Sequence, residues 1–197
     1  QVINIFIMLL VDQIQMQKQK AVFLDRDGII NIDHGYVGHY HNFDYVEGVF
    51  DMIKHFVAQG FKPIIVTNQS GIARGYFTEA DFLNLMKQVQ DEFSDQGLPH
   101  IPVFYCPHHP EGNLSAYQVM CECRKPKPGM LLNAAKQYAI DLPNSIMIGD
   151  SWRDIEAGQA AGVKWCVYVS DKAPPLEADK SQVYLVNKLT DIPGSIE

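Results

Sequence analysis

No apolar run in this sequence is long enough to cross a bilayer as a helix. The stretch VINIFIMLLV, from Val2 to Val11, is broken by Asn4 and falls well short of the about 20 residues that a span requires. It also lacks the basic flank and small-residue cleavage site of a secretory leader. Residues 1–19 are therefore expected to be an extension, non-native or disordered, with Met16 as a natural start and the protein cytoplasmic. Cysteine is scarce, with four among 197 residues, too few for a disulfide framework. There are no runs of like charge, and 16 Lys+Arg stand against 23 Asp+Glu for a net charge of −7. That balance offers no cationic footprint for nucleic acid, so any anionic ligand must be met by a local positive site, a metal ion or backbone N–H groups. No repeat or low-complexity segment is visible.

What is present is an ordinary globular composition, 47% hydrophobic and 20% charged, on a chain long enough for one cored domain, expected over 20–197. Apolar runs alternate with helical periodicity. Strands are expected at 21–24, 61–67, 101–105, 145–148, 163–169 and 183–186. Helices are expected at 46–59, from the Thr78 cap to about Ser94, from Pro128 to about Tyr138, and at 154–161, with irregular chain over 106–127. Strand–helix alternation predicts an α/β fold, a Rossmann-like three-layer sandwich around a mainly parallel sheet. In such sheets ligands sit beyond the carboxyl ends of the strands, which here deliver Asp25, Thr67-Asn68, Cys106 and Asp150.

Those ends carry the chemistry. Asp25-Arg26-Asp27-Gly28 sets two carboxylates one residue apart, one able to attack phosphorus and the other to protonate a leaving oxygen and then activate water. Such carboxylates also suit Mg²⁺. Thr67-Asn68-Gln69-Ser70-Gly71 offers hydroxyl, amide and N–H groups to phosphate oxygens. Arg124-Lys125-Pro126 supplies fixed cations, and Gly149-Asp150-Ser151 with Asp154 supplies further carboxylates after a strand. Singly, each of these also reads as an ordinary polar turn. Apart from them, Cys106-x-His108 and Cys121-x-Cys123, separated by twelve residues, give three thiolates and one imidazole. That is a closed tetrahedral set for structural Zn²⁺ within 106–123, with His109 as the rival imidazole and a loop of free cysteines as the alternative.

DRDG, TNQSG, the Lys of RKP and GDSWRD together resemble, in order, the four motifs of the haloacid-dehalogenase-like (HAD-like) phosphohydrolases. The resemblance implies a phosphatase working through an aspartyl-phosphate, with Asp25 as nucleophile and Asp27 as general acid/base. It implies that Thr67 and Lys125 hold the phosphoryl group, that Mg²⁺ is bound by Asp25, the Asp27 carbonyl and Asp150, and that Asp154 lies behind them. NIDHGYV, YCPHHPEG and CECRKPKPGM extend the likeness to the branch acting on heptose bisphosphate and histidinol phosphate. That branch implies substrate contacts from Asp33, His34, Gly35, Tyr36, Asn68, Gln69, Ser70 and Arg124. The long loop between the zinc ligand pairs and the HGYV segment favour the heptose bisphosphate. One departure is Ser151, where the branch commonly has Lys; Arg153 is the neighbouring cation. No insertion after Asp27 or Thr67 is long enough for a cap domain, so a capless, open site is expected; a small sugar phosphate as substrate and a monomeric state are expected besides. The rival of another class is a non-catalytic zinc-containing binding protein on the same fold.

Overall fold

The computed structural model describes residues 18–192 together with Gly194 and Ile196. Most of the expected extension, residues 1–17, lies outside the described residues. Gln19, at its end, already pairs with Ile140 beside the sheet.

Six parallel strands form one sheet in the order β3-β2-β1-β4-β5-β6. They are β1 Ala21–Leu24, β2 Lys62–Asn68, β3 Val103–Cys106, β4 Ile146–Gly149, β5 Trp165–Val169 and β6 Val183–Val186. The helices are α1 Val49–Ala58, α2 Ser70–Arg74, α3 Glu79–Asp95, α4 Gly129–Tyr138 and α5 Trp152–Ala161. Alternate residues of each central strand enter two separate cores. Val22, Leu24 and Ile65 pack with residues of α1 and α3 on one face; Ala21, Phe23 and Ile64 pack with residues of α4 and α5 on the other. Both faces being covered explains why AVFL reads as an unbroken apolar run.

The alternating pattern placed the elements, and local chemistry moved their ends. The first helix begins at Val49 rather than 46, because Gly48 takes a left-handed φ of 83° and Val46 donates its N–H to Ile30 O. Thr78 caps α3 as expected, its hydroxyl accepting from the Asp81 N–H. The short helix α2 falls where a polar loop was expected. The chain runs out along β1, β2 and β3 on one side, then returns to lay β4 against the other side of β1. The reversal therefore opens a crevice between the ends of β1 and β4, which is where Asp25 and Asp150 emerge. Among the described residues no helix is long and apolar enough to cross a membrane.

Candidate active site

Asp25 leaves β1 buried, its N–H donating to Ile148 O at 3.0 Å. Lys125, 2% exposed, reaches it from the 106–128 segment: Nζ lies 2.8 Å from Asp25 Oδ1, 2.7 Å from Asp154 Oδ1 and 2.8 Å from Val66 O. A buried ammonium with three acceptors is fully paired. Burial opposes its charge, yet the Asp154 and Asp25 carboxylates outweigh that and hold its pKa above the ordinary lysine value. The carboxylates are less well off. Burial, then the nearby Asp154, pushes Asp25 up to about 8 against the pull of Lys125, and the same two causes push Asp150 up to about 6.

Asp25, Asp150 and Asp154 each offer an oxygen within 4.8 Å of the others. Carboxylates raised by burial and then by their acidic neighbours are short of positive charge, and hard oxygen donors at that spacing fit Mg²⁺. Asp154 differs from its companions. One of its oxygens is on Lys125 and the other accepts the Ser151 N–H at 3.0 Å, so both are already engaged. Gly28 allows this crowding. Its φ is +87°, and a Cβ there would overlap the Asp150 carboxylate.

Asp27 stands apart from the acidic group. Its Oδ1 accepts from Arg26 Nε (3.2 Å), Arg26 NH2 (2.6 Å) and Asn31 Nδ2 (3.1 Å), while Oδ2 accepts from Gln69 Nε2 at 3.0 Å. The same Gln69 amide donates to Thr67 Oγ1 at 2.8 Å, joining the ends of β1 and β2. Asn68, expected on phosphate, also clasps Lys125 through the backbone: its Oδ1 accepts from Lys125 N and its Nδ2 donates to Lys125 O, both at 3.0 Å.

These groups floor a cleft of about 600 Å³. Asp25, Asp27 and Asp150 line it, and Arg74, Arg124, Arg153 and Lys172 bring four cations to the same cleft. Asp33, Gly35 and Tyr36 form one lip; Asn68, Gln69 and Ser70 line the β2 end. Thr67 and Lys125 are buried beneath this surface. His34 is turned away: its Nε2 lies 2.8 Å from Asp44 Oδ2, and it lines a separate shallow hollow with His41. Ser151 and Arg153 both reach the cleft, so a cation is present next to the Ser151 position. Arg26, Arg74 and Lys172 are site groups that sequence reasoning did not single out, and His109 was weighed there only as a zinc ligand. Only Arg26 carried a signal, as a cation wedged between two aspartates.

The thiol cluster lies at the end of β3. Cys106 and Cys121 Sγ are 3.5 Å apart, Cys121 and Cys123 Sγ 3.2 Å, and His108 Nδ1 is 3.4 Å and 3.8 Å from Cys123 and Cys106. Around a tetrahedral Zn²⁺, sulfurs sit about 3.8 Å apart and sulfur and nitrogen about 3.5 Å. The donor set and spacing therefore fit zinc. His109, the rival ligand, faces the cleft instead, its Nε2 3.4 Å from Arg74 NH2. From the cluster, Arg124 NH1 reaches the His108 carbonyl at 3.4 Å, so the knuckle and the cleft wall are one piece of chain.

Sheet order, strand-end carboxylates and a buried lysine define a HAD-like hydrolase, and a family model described as HAD-hydrolase-like matches residues 122–192. The chain is 42% identical to a D-glycero-beta-D-manno-heptose-1,7-bisphosphate 7-phosphatase of Yersinia pestis, over 92% of this chain and 97% of that one. It is 44% identical to the same-named protein of Vibrio cholerae, over 88% and 94%. A solved D,D-heptose 1,7-bisphosphate phosphatase from B. bronchiseptica, complexed with magnesium and phosphate, superposes with a TM-score of 0.72 at 28% identity, covering 87% of this chain and 94% of that one. The chain belongs to the heptose-bisphosphate phosphatase family of HAD-like hydrolases.

Proposed function

We propose that the protein removes the C7 phosphate of D-glycero-D-manno-heptose 1,7-bisphosphate through an aspartyl-phosphate. The observation that carries this reading is the split between two carboxylates on one cleft. Asp25 is held by Lys125, whereas Asp27 is held by donors from Arg26, Asn31 and Gln69. One is placed to attack and the other to manage protons.

Asp25 attacks phosphorus while Asp27 gives its proton to the departing C7 oxygen. Asp27, now a carboxylate, takes a proton from water, which attacks the aspartyl-phosphate and frees phosphate. Lys125 and Thr67 steady the charge on the phosphoryl oxygens, joined by N–H groups at the start of α2. Mg²⁺, bound by Asp25, Asp150 and the Asp27 carbonyl, supplies the positive charge that the crowded carboxylates lack; Asp154 acts behind them by orienting Lys125. Zn²⁺ on Cys106, His108, Cys121 and Cys123 is structural, since four protein ligands leave no open position. Arg124, with Arg74, meets the distal phosphate, and Asp33, Gly35 and Tyr36 meet the sugar. His34 contributes through the lip rather than by direct contact, given its bond to Asp44. Residues 20–197 act as one domain and as a monomer. The four unpaired cysteines suit a reducing compartment, which supports a cytoplasmic location.

Phosphate release with Mg²⁺ tests the reading, comparing both anomers of heptose 1,7-bisphosphate with histidinol phosphate. A preference of at least about tenfold in kcat/KM for a heptose anomer is expected. Preference for histidinol phosphate overturns the substrate and keeps the chemistry. No turnover of any phosphomonoester by folded, metal-loaded protein overturns the chemistry as well.

A further inference from the structure

We infer that Arg26 is a positioning residue for Asp27, fixing the oxygen from which the proton is delivered to the leaving group; this rests on the phosphatase reading above. Arg26 is among the largest fully buried side chains, at 0% exposure. Its guanidinium lies between the rings of Phe43 (5.9 Å) and Phe82 (5.7 Å). Nε and NH2 both close on Asp27 Oδ1, and NH2 also donates to Val37 O at 2.8 Å. The main chain of the same residue serves the other carboxylate, its N–H donating to Asp25 Oδ1 at 2.7 Å. Its carbonyl accepts from the N–H groups of Ile29, Ile30 and Asn31. One residue thus sets the spacing of both aspartates and ties them, through Val37, to the lip that carries Gly35 and Tyr36.

Stability does not explain this choice. Burying a whole guanidinium costs several kcal/mol before pairing, and NH1 is buried without a hydrogen-bond partner among the described residues. The aromatic faces recover part of that cost, and an apolar side chain would avoid it only by leaving Asp27 Oδ1 and Val37 O short of a donor. The guanidinium adds direction. With Oδ1 closed by Arg26 and Asn31, the proton must travel on Oδ2, the oxygen bonded to Gln69 at the cleft. In the transfer the Asp27 Oδ2–H bond breaks and the leaving oxygen gains the hydrogen. At the same time Asp25 forms its bond to phosphorus and the phosphorus–leaving oxygen bond breaks.

The test uses leaving-group dependence in metal-loaded, full-length protein. Nitrophenolate departs without a proton, whereas a sugar alkoxide needs one, and kcat/KM reports only steps up to that departure. Arg26→Met is compared with wild type on 4-nitrophenyl phosphate and on the sugar phosphate the wild type turns over best. The expected result, in protein that folds, is a loss roughly tenfold to a hundredfold greater on the sugar phosphate, with a lower Tm because Asp27 Oδ1 and Val37 O lose their donor. Equal losses on both substrates, or no loss, overturn the inference. Should Arg26→Met not be recovered folded, Arg26→Lys is read by the same criterion, since one ammonium cannot hold Asp27 Oδ1 and Val37 O with the same fork. Asp27→Asn is the reference. If it shows the selective loss and the Arg26 variants do not, only this inference fails; if it shows a uniform loss, the role of Asp27 fails and this inference with it.

Discussion

The acidic centre and the thiol centre are both groups of ligand atoms within 4.8 Å of one another, yet they are built on opposite principles. The acidic centre is mixed: two of its three carboxylates share one lysine, each of the three is pushed up from its ordinary pKa or engaged on both oxygens, and one side opens on a cleft of about 600 Å³. The thiol centre, three sulfurs and one imidazole, is closed. Its four donors sit at spacings a tetrahedral ion would impose, and burial pushes the Cys106 thiol well above its ordinary value unless a cation intervenes. A site that must change its charge during turnover is left under-neutralised, whereas a site that only fastens chain is left with nothing to exchange.

Removing the carboxylate proposed to attack phosphorus breaks the comparison most directly. Asp25→Asn is expected to cut phosphate release on the order of 10³-fold or more while raising Tm in the absence of divalent cation, because one crowded carboxylate is gone. Activity and thermal melting are read on the same preparation. Cys123→Ser should lower stability instead, by about 3 kcal/mol or more in denaturant titration, with less zinc than wild type by elemental analysis. Activity falls with it, because Arg124 and Lys125 follow directly in the chain. Asn68→Ala isolates how the lysine is held. The backbone clasp on Lys125 is lost, so kcat should drop about tenfold with little change in KM.

The smallest effect sharpens the electrostatic half. Asp25 and Asp150 have raised pKa values in the folded state, so the protons they bind favour folding at low pH. That contribution is fully present below the ordinary aspartate range and is lost as pH climbs through about 6 and then about 8. Cation-free protein should therefore melt a few degrees lower at pH 8 than at pH 6 from this source. Added Mg²⁺ should raise Tm more at pH 8, a difference that scanning fluorimetry resolves and that Asp150→Asn should diminish.

How much of this was legible in the sequence depends on the range over which each contact acts. Strand ends were legible because an apolar run followed at once by DRDG, TNQSG or GDS is a local signal. The four thiol-centre residues were legible for the same reason, as two close pairs. Lys125 was legible as a residue, but its anchoring was not: Asn68 and Val66 lie more than fifty positions away, and no periodicity links them. Helix α2 was read as loop because Gly71 and the polar TNQSG run lower helix propensity. In the structure Gly71 is needed there because any Cβ would strike the Phe77 ring. His34 shows the limit in the other direction. A loop has no period from which to tell inside from outside, and its ring found Asp44 rather than the cleft.

The loop between the zinc ligand pairs is sewn to the rest of the molecule at few points. Asn113 and Leu114 both donate their N–H groups to Ala73 O, and Tyr117 donates its hydroxyl to Glu79. None of these bonds involves the floor residues Asp25, Asp27, Lys125 or Asp150. Asn113 Nδ2 also donates to Arg74 O and His109 Nε2 lies 3.4 Å from Arg74 NH2, so the segment is fastened to the cleft wall and not to its floor. Of residues 109–120 only His109 lines the cleft, so most of this segment can change in length or sequence without touching a bond made by the floor.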